Sequence, residues 1–132
     1  MSIGALLLLG SVMTAGAQDI NCDYPTTQVE MTGCAALDFE AADASLNTAY
    51  RQAVTAAKEM DGYVPGLEPT HEEMLRDAQR AWIPFRDAAC AAESNIARGG
   101  TLQNQLFFMC LTRLTEQRTD DLWFFTEGMT GG

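Results

Sequence analysis

Apolar residues at helical spacing run through the stretch Ala78-Gln79-Arg80-Ala81-Trp82-Ile83-Pro84-Phe85-Arg86-Asp87-Ala88-Ala89-Cys90 and its flanks. Leu75, Ala78, Trp82, Phe85, Ala89, Ala92 and Ile96 recur at alternating three- and four-residue steps, which draws one apolar stripe down a helix. That stripe is expected to face the core. Gln79, Arg86 and Cys90 lie along its edge, where a bundle helix meets its neighbours, so charge and sulfur should sit close to the interior. Pro84 inside the run removes one backbone hydrogen bond and crowds the carbonyl of Arg80, so a kink or local break is expected there.

Two further segments carry the same period. Met31, Ala35, Phe39, Ala42, Leu46, Ala49, Ala53 and Ala56 predict a first helix over residues 27–60, entered through Pro25, Thr26 and Thr27, with Gly33 a weak point near its start. Two glycines and two prolines within residues 61–69 end it. Thr70 with Glu73 forms a capping box that opens the second helix, which should run to about Arg98 and stop at Gly99-Gly100. Thr101 is the expected cap of a third helix whose face is Phe107, Leu111, Leu114, Arg118, Leu122 and Phe125, while residues 127–132 should fray. Alanine-rich composition with few β-branched residues favours close-packed helices over a sheet. The predicted fold is all-α, a three-helix antiparallel up-down-up bundle of one domain.

Residues 1–17 stand apart. An uncharged, leucine-rich run from Ile3 to Val12 precedes Ala15-Gly16-Ala17, the small-x-small pattern of a secretory cleavage site, so a signal peptide over 1–17 and a mature domain over 18–132 are expected. The usual basic residue before the run is missing. The run is also too short to span a bilayer, which takes about 20 apolar residues, so no stable membrane insertion is expected.

Four cysteines, Cys22, Cys34, Cys90 and Cys110, all fall in the mature part, and an even number in a short exported chain reads as two disulfides in a periplasmic or extracellular protein. At 1.5 Å rise per helical residue, Cys34, Cys90 and Cys110 reach similar heights near the Gly99-Gly100 end. Cys22 with Cys34 and Cys90 with Cys110 close the shortest loops and are favoured; the two other pairings stay open. No Cys-x-x-Cys pair occurs and His71 is the sole histidine, so the spacing of a zinc site is absent and no metal or other cofactor is expected.

The same height count sets Asp43 level with Arg80, Trp82 and Arg118, and Asp38 level with Arg86 and Thr112. A structural polar network of Asp43, Asn47, Gln79, Arg80, Arg86 and Arg118 follows, with Asp43 or Asn47 as the expected partner of Arg118. No catalytic residue is expected. His71, in a first helical turn beside Glu72 and Glu73, should be exposed, and nucleophile, metallopeptidase and phosphate-loop motifs are missing. The formal charge of −10 repels nucleic acid and anionic lipid and attracts basic partners. Tyr63 in the first connection and Arg98 at the second are the candidate partner-binding residues, and Trp123, Phe124 and Phe125 cannot all face inward on one helix.

Five stretches resemble the LprI-type lysozyme-inhibitor domain: Gln28-Val29-Glu30-Met31-Thr32-Gly33-Cys34-Ala35, Ala42-Asp43-Ala44-Ser45-Leu46-Asn47-Thr48-Ala49-Tyr50, residues 78–90, Gly99-Gly100-Thr101, and Cys110-Leu111-Thr112-Arg113-Leu114-Thr115-Glu116-Gln117-Arg118. The resemblance covers nearly all of the mature chain with the four cysteines in register. It implies a small secreted helical domain, held by disulfides, that blocks a basic muramidase by docking; the partner would be lysozyme or another basic protein. The alternative is a non-enzymatic envelope module, structural or stress-related, with a different partner. Asp19-Ile20-Asn21 before Cys22 do not make a lipid-attachment site, so a soluble form is expected, and Pro84 departs from the family's motif helix.

Overall fold

The computed structural model describes residues 20–131 and contains three long helices: α1 (Gln28–Tyr63), α2 (His71–Ser94) and α3 (Leu102–Thr130), with a 3-10 turn at Asn95–Ala97 between the last two. No strand occurs among the described residues. The proposed signal peptide lies outside them.

Local chemistry sets the helix starts. Thr27 accepts from the Glu30 N–H while the Glu30 carboxylate accepts from the Thr27 N–H, and Thr70 and Glu73 repeat the arrangement at α2. The backbone donors of Thr26 and Thr27 hold the Glu30 carboxyl below its ordinary pKa. Thr101 departs from expectation: it is already in the α-helical region and its side chain caps nothing. Gln103 ties the preceding turn to the helix, its Oε1 accepting from the Gly99 N–H at 3.1 Å, and Gly99 turns the chain with φ at 78°. Residues 127–130 do not fray but continue α3, which closes on Gly131 in the left-handed conformation. α2 stays helical through Pro84, so of the expected kink or local break the break does not occur, and helix of the α type ends at Ser94 rather than Arg98. Pro84 and Arg80 are both exposed, which leaves the unpaired carbonyl of Arg80 open to water.

α1 and α3 run in the same direction and form the most extensive packing in the molecule. At one end the Gln28 Nε2 donates to the Gln105 Oε1 at 2.8 Å; at the other, Met60 and Tyr63 flank Gly128 and Met129. α2 returns antiparallel and packs against both. Every position of the expected α1 stripe is buried or half-buried, and the α3 face is likewise as expected. Ala49, Ala53 and Ala57 are fully buried, and such small side chains let the helices approach closely around Leu46, Leu75 and Leu122.

The α2 stripe is the main correction. Leu75 is buried and Trp82 and Ala89 are half-buried, but Ala78, Phe85, Ala92 and Ile96 are exposed, Phe85 by 62% and Ile96 by 87%. The line that faces inward is Leu75, Gln79, Trp82, Arg86 and Cys90. The helix is rotated toward its polar residues because α3 offers them partners and a disulfide.

The two disulfides join Cys22 to Cys34 and Cys90 to Cys110, with Cα atoms 5.6 and 5.4 Å apart. The second is buried among Leu111, Phe39, Phe107, Phe108 and Leu114 and fastens α2 to α3 beside their connecting turn. The first ties the lead segment to α1. The end of the Ile20 side chain lies over Gly33, so a Cβ there would require that side chain to move.

Candidate functional site

Arg86 is the hub of the interior polar network. It is 8% exposed, and its guanidinium carbon sits 5.2 Å from the Phe39 ring centroid and 5.1 Å from that of Trp82. Nε donates to Asp87 Oδ1 at 2.9 Å, and Nη1 reaches Thr115 Oγ1 at 3.4 Å and Asp43 Oδ1 at 3.7 Å. Asn47 donates to the second oxygen of Asp43 at 3.3 Å. One turn along, Arg118 Nε donates to the Oε1 of buried Gln79 at 3.0 Å. Every fully buried side-chain nitrogen or oxygen among the described residues has a hydrogen-bond partner.

The structure thus brings Asp43, Asn47 and Arg86 together, joins Arg118 to Gln79, and leaves Arg80 outside. Arg80 is exposed and reaches only Asp77, one turn back on its own helix, at 3.9 Å. The expected pairing of Arg118 with Asp43 or Asn47 is replaced by Gln79, and the arginine at Asp43 is Arg86, not Arg80 or Arg118. Asp38, expected level with Arg86, faces the groove between α1 and α3, while its neighbour Phe39 meets the guanidinium. Thr115 is a member that spacing did not single out, and Phe39, expected only as a core position of α1, joins it. A threonine inside an apolar face, at 0% exposure, is the signal that a donor must reach it.

His71 is also corrected. It is half-buried, with Nδ1 2.7 Å from Asp61 Oδ1, and the Asp61 carboxylate further accepts from the backbone N–H groups of His71 and Glu72 at 2.8 and 3.1 Å. Desolvation raises the Asp61 pKa, but these backbone donors and the imidazole outweigh it and leave the carboxyl below its ordinary value. Asp61 therefore caps α2 from the last turn of α1. Glu72 in turn gathers Lys58 and Arg76, and raises the Arg76 pKa through its hydrogen bond and charge.

Among the described residues no cluster of His, Cys, Asp and Glu is placed to hold a metal ion. What remains is surface. The α1–α3 groove, about 410 Å³, is floored by Ala41, Ala42 and Ser45 and walled by Asp38, Glu116 and Asp120. The ion pairs of the described residues engage Lys58, His71, Arg76, Arg80, Arg86 and Arg113, none of them with these three carboxylates. Tyr63 and Arg98 are both exposed but stand at opposite ends of the bundle, on the order of 50 Å apart given the rise of α1, so one compact interface cannot hold both. Trp123 and Phe124 are exposed and Phe125 packs on the core.

Four cysteines paired within an all-helical chain, with this order of capped helices, match the model of the lysozyme inhibitor LprI family over residues 21–122. The chain belongs to the LprI family. An uncharacterized protein of Rhizobium meliloti (strain 1021) is 37% identical over 121 residues, 88% of this chain and 87% of its own. No solved structure matches. The LprI match takes in both disulfides, the Arg86 hub and the Asp61 cap, so all of these belong to the family domain of this chain.

Proposed function

We propose that this protein is an exported LprI-type inhibitor that blocks a basic muramidase by protein–protein docking, without chemistry of its own. The family match over residues 21–122 carries the reading. Physical support comes from the surface: a net charge of −10 and a groove whose carboxylates have no cation partner give a field that draws a basic enzyme in. Two disulfides suit an oxidising compartment, and no described helix is long and apolar enough to cross a membrane. Export through cleavage after Ala17 belongs to the same proposal.

Lysozymes of the basic type work with two carboxylates in a cleft. Contact at the Arg98 tip would offer them a guanidinium; contact at the Tyr63 tip would instead receive the enzyme's surface cations. The test is a cell-wall lysis assay with purified protein titrated against lysozyme at low salt. Inhibition near equimolar protein is expected; full lysis at a large excess overturns the reading. Arg98→Ala, compared in parallel, leaves potency unchanged if the Arg98 tip is not the contact.

A further inference from the structure

The end of the bundle that carries Tyr63 has a property the rest of the surface lacks. α1 and α3, running parallel, both finish there, so the last carbonyls of two helices, which have no intrahelical donors, point out of the same pole. α2 begins at the same pole with the positive end of its dipole, already met by Thr70 and Asp61. Two helix C-termini against one capped N-terminus leave a net negative potential, and neither last turn contains a lysine, arginine or histidine to offset it. Between the two ends lies a depression of about 400 Å³ lined by Glu59, Met60, Tyr63, Gly128, Met129 and Thr130. Lys58, next in the chain to Glu59, is turned to Glu72 at 3.7 Å. Arg98 is at the far pole.

We propose that this pole is a receptor for a lysine or arginine side chain presented by a basic protein partner. The proposal rests on the docking reading above and names the surface that does it. Each part of the depression answers one part of such a side chain. The flexible thioethers of Met60 and Met129 accept its aliphatic stem. The Tyr63 ring, 83% exposed and so free to turn, offers a face to the cation. Glu59 and the helix-end carbonyls supply the negative charge. Gly128 keeps the floor open, since it has no side chain and a Cβ placed there would meet nothing within 4 Å. The opposite pole, by contrast, ends in the exposed cation Arg98, which repels the surface of a basic enzyme.

The test uses isotope-labelled protein titrated with penta-arginine, and with penta-citrulline as the uncharged control, followed by amide chemical shifts. Shifts concentrated at residues 59–63 and 128–131, absent with the control and reduced by salt, are expected. Tyr63→Ala, Glu59→Gln and Gly128→Leu should each raise the Kd at least fivefold; all three positions are in or beside open space, so the fold is kept, and amide spectra of the free variants verify it. Shifts spread evenly over Asp38, Glu116 and Asp120 with none at the pole, or an unchanged Kd in the three variants, overturn the proposal. The lysis assay separates this from the inhibitor reading. Inhibition that survives all three variants sinks the pole and leaves inhibition standing. Variant-sensitive peptide binding by a protein that inhibits no lysozyme supports the pole and removes that enzyme as the partner.

Discussion

Arg86 is held between two aromatic rings and three oxygens, and each contact answers a different need of a charge placed in a core. The rings of Phe39 and Trp82 shield its planar faces, while Asp43, Asp87 and Thr115 take its edge donors. Asp43 and Asp87 are partly solvated, with side chains 42% and 52% exposed, so losing the arginine strands no buried anion and leaves only the Thr115 hydroxyl, at 0% exposure, without its donor. Arg86→Met, which keeps the stem, is therefore expected to cost about 1–2 kcal/mol from lost charged hydrogen bonds. Arg86→Ala adds a cavity between the rings and should cost about 3 kcal/mol, both read from urea unfolding. The Gln79–Arg118 pair behaves differently because Gln79 is only 6% exposed. Arg118→Met strands a buried amide and should cost about 1–3 kcal/mol, whereas adding Gln79→Leu should recover most of it. Equal stability of the single and double variants would show that the amide finds water instead.

At the scale of elements, α1 was readable and α2 was not, for a geometric reason. α1 is flanked by both other helices, so a broad apolar face is covered whichever way it turns, and periodicity alone locates it. α2 has apolar residues on one side and Gln79, Arg86 and Cys90 on another, and only the position of α3 decides which turns inward. Spacing records that a face exists, not where its neighbour stands. The same gap explains the ion pair: a height count sets Asp38 level with Arg86, and its neighbour Phe39 does lie against that guanidinium, but only the direction of the side chains decides that Asp43, one turn on from Phe39, is the carboxylate Arg86 reaches. Phe85→Ser and Ile96→Ser should accordingly change stability by less than about 0.5 kcal/mol, as surface substitutions do, where a core stripe would lose several. The connection between α1 and α2 makes a pH prediction. The Asp61 pKa is lowered in the folded protein, so the unfolded chain binds its proton first as pH falls; the cap contributes fully above the ordinary carboxyl value near 4 and is lost below it as pH passes through the folded pKa. Asp61→Asn should flatten the fall of melting temperature with pH in that acid range and leave the neutral range without a slope change. The disulfides also differ as elements. Cys90 and Cys110 are 0% and 1% exposed while Cys22 is exposed, so a dithiol reductant should open Cys22–Cys34 first, detected by alkylation and mass spectrometry.

For the molecule as a whole, the charge of −10 is plain in the sequence, but its distribution is not, because it depends on which carboxylates the fold pairs. Glu72, Glu93, Asp43 and Asp87 are taken up by cations on neighbouring turns or helices and Asp61 by the backbone donors that open α2, so they contribute mainly to the structure. Asp38, Glu116 and Asp120 are left over along the α1–α3 groove and contribute to the outward field. A field of this kind acts on encounter more than on the lifetime of a complex, since it steers over a Debye length of about 8 Å at physiological salt and fades once short-range contacts form. Asp38→Lys with Glu116→Lys reverses two exposed, unpaired charges and leaves the core untouched. On the inhibitor proposal, binding to lysozyme, followed by stopped flow, should then lose roughly tenfold in association rate at low ionic strength, keep its dissociation rate within about twofold, and show no difference from the parent near 1 M salt, where the Debye length is about 3 Å. A slowed association that persists at high salt would mean that the groove is itself part of the contact, and would move the docking surface from the pole of the bundle to its side.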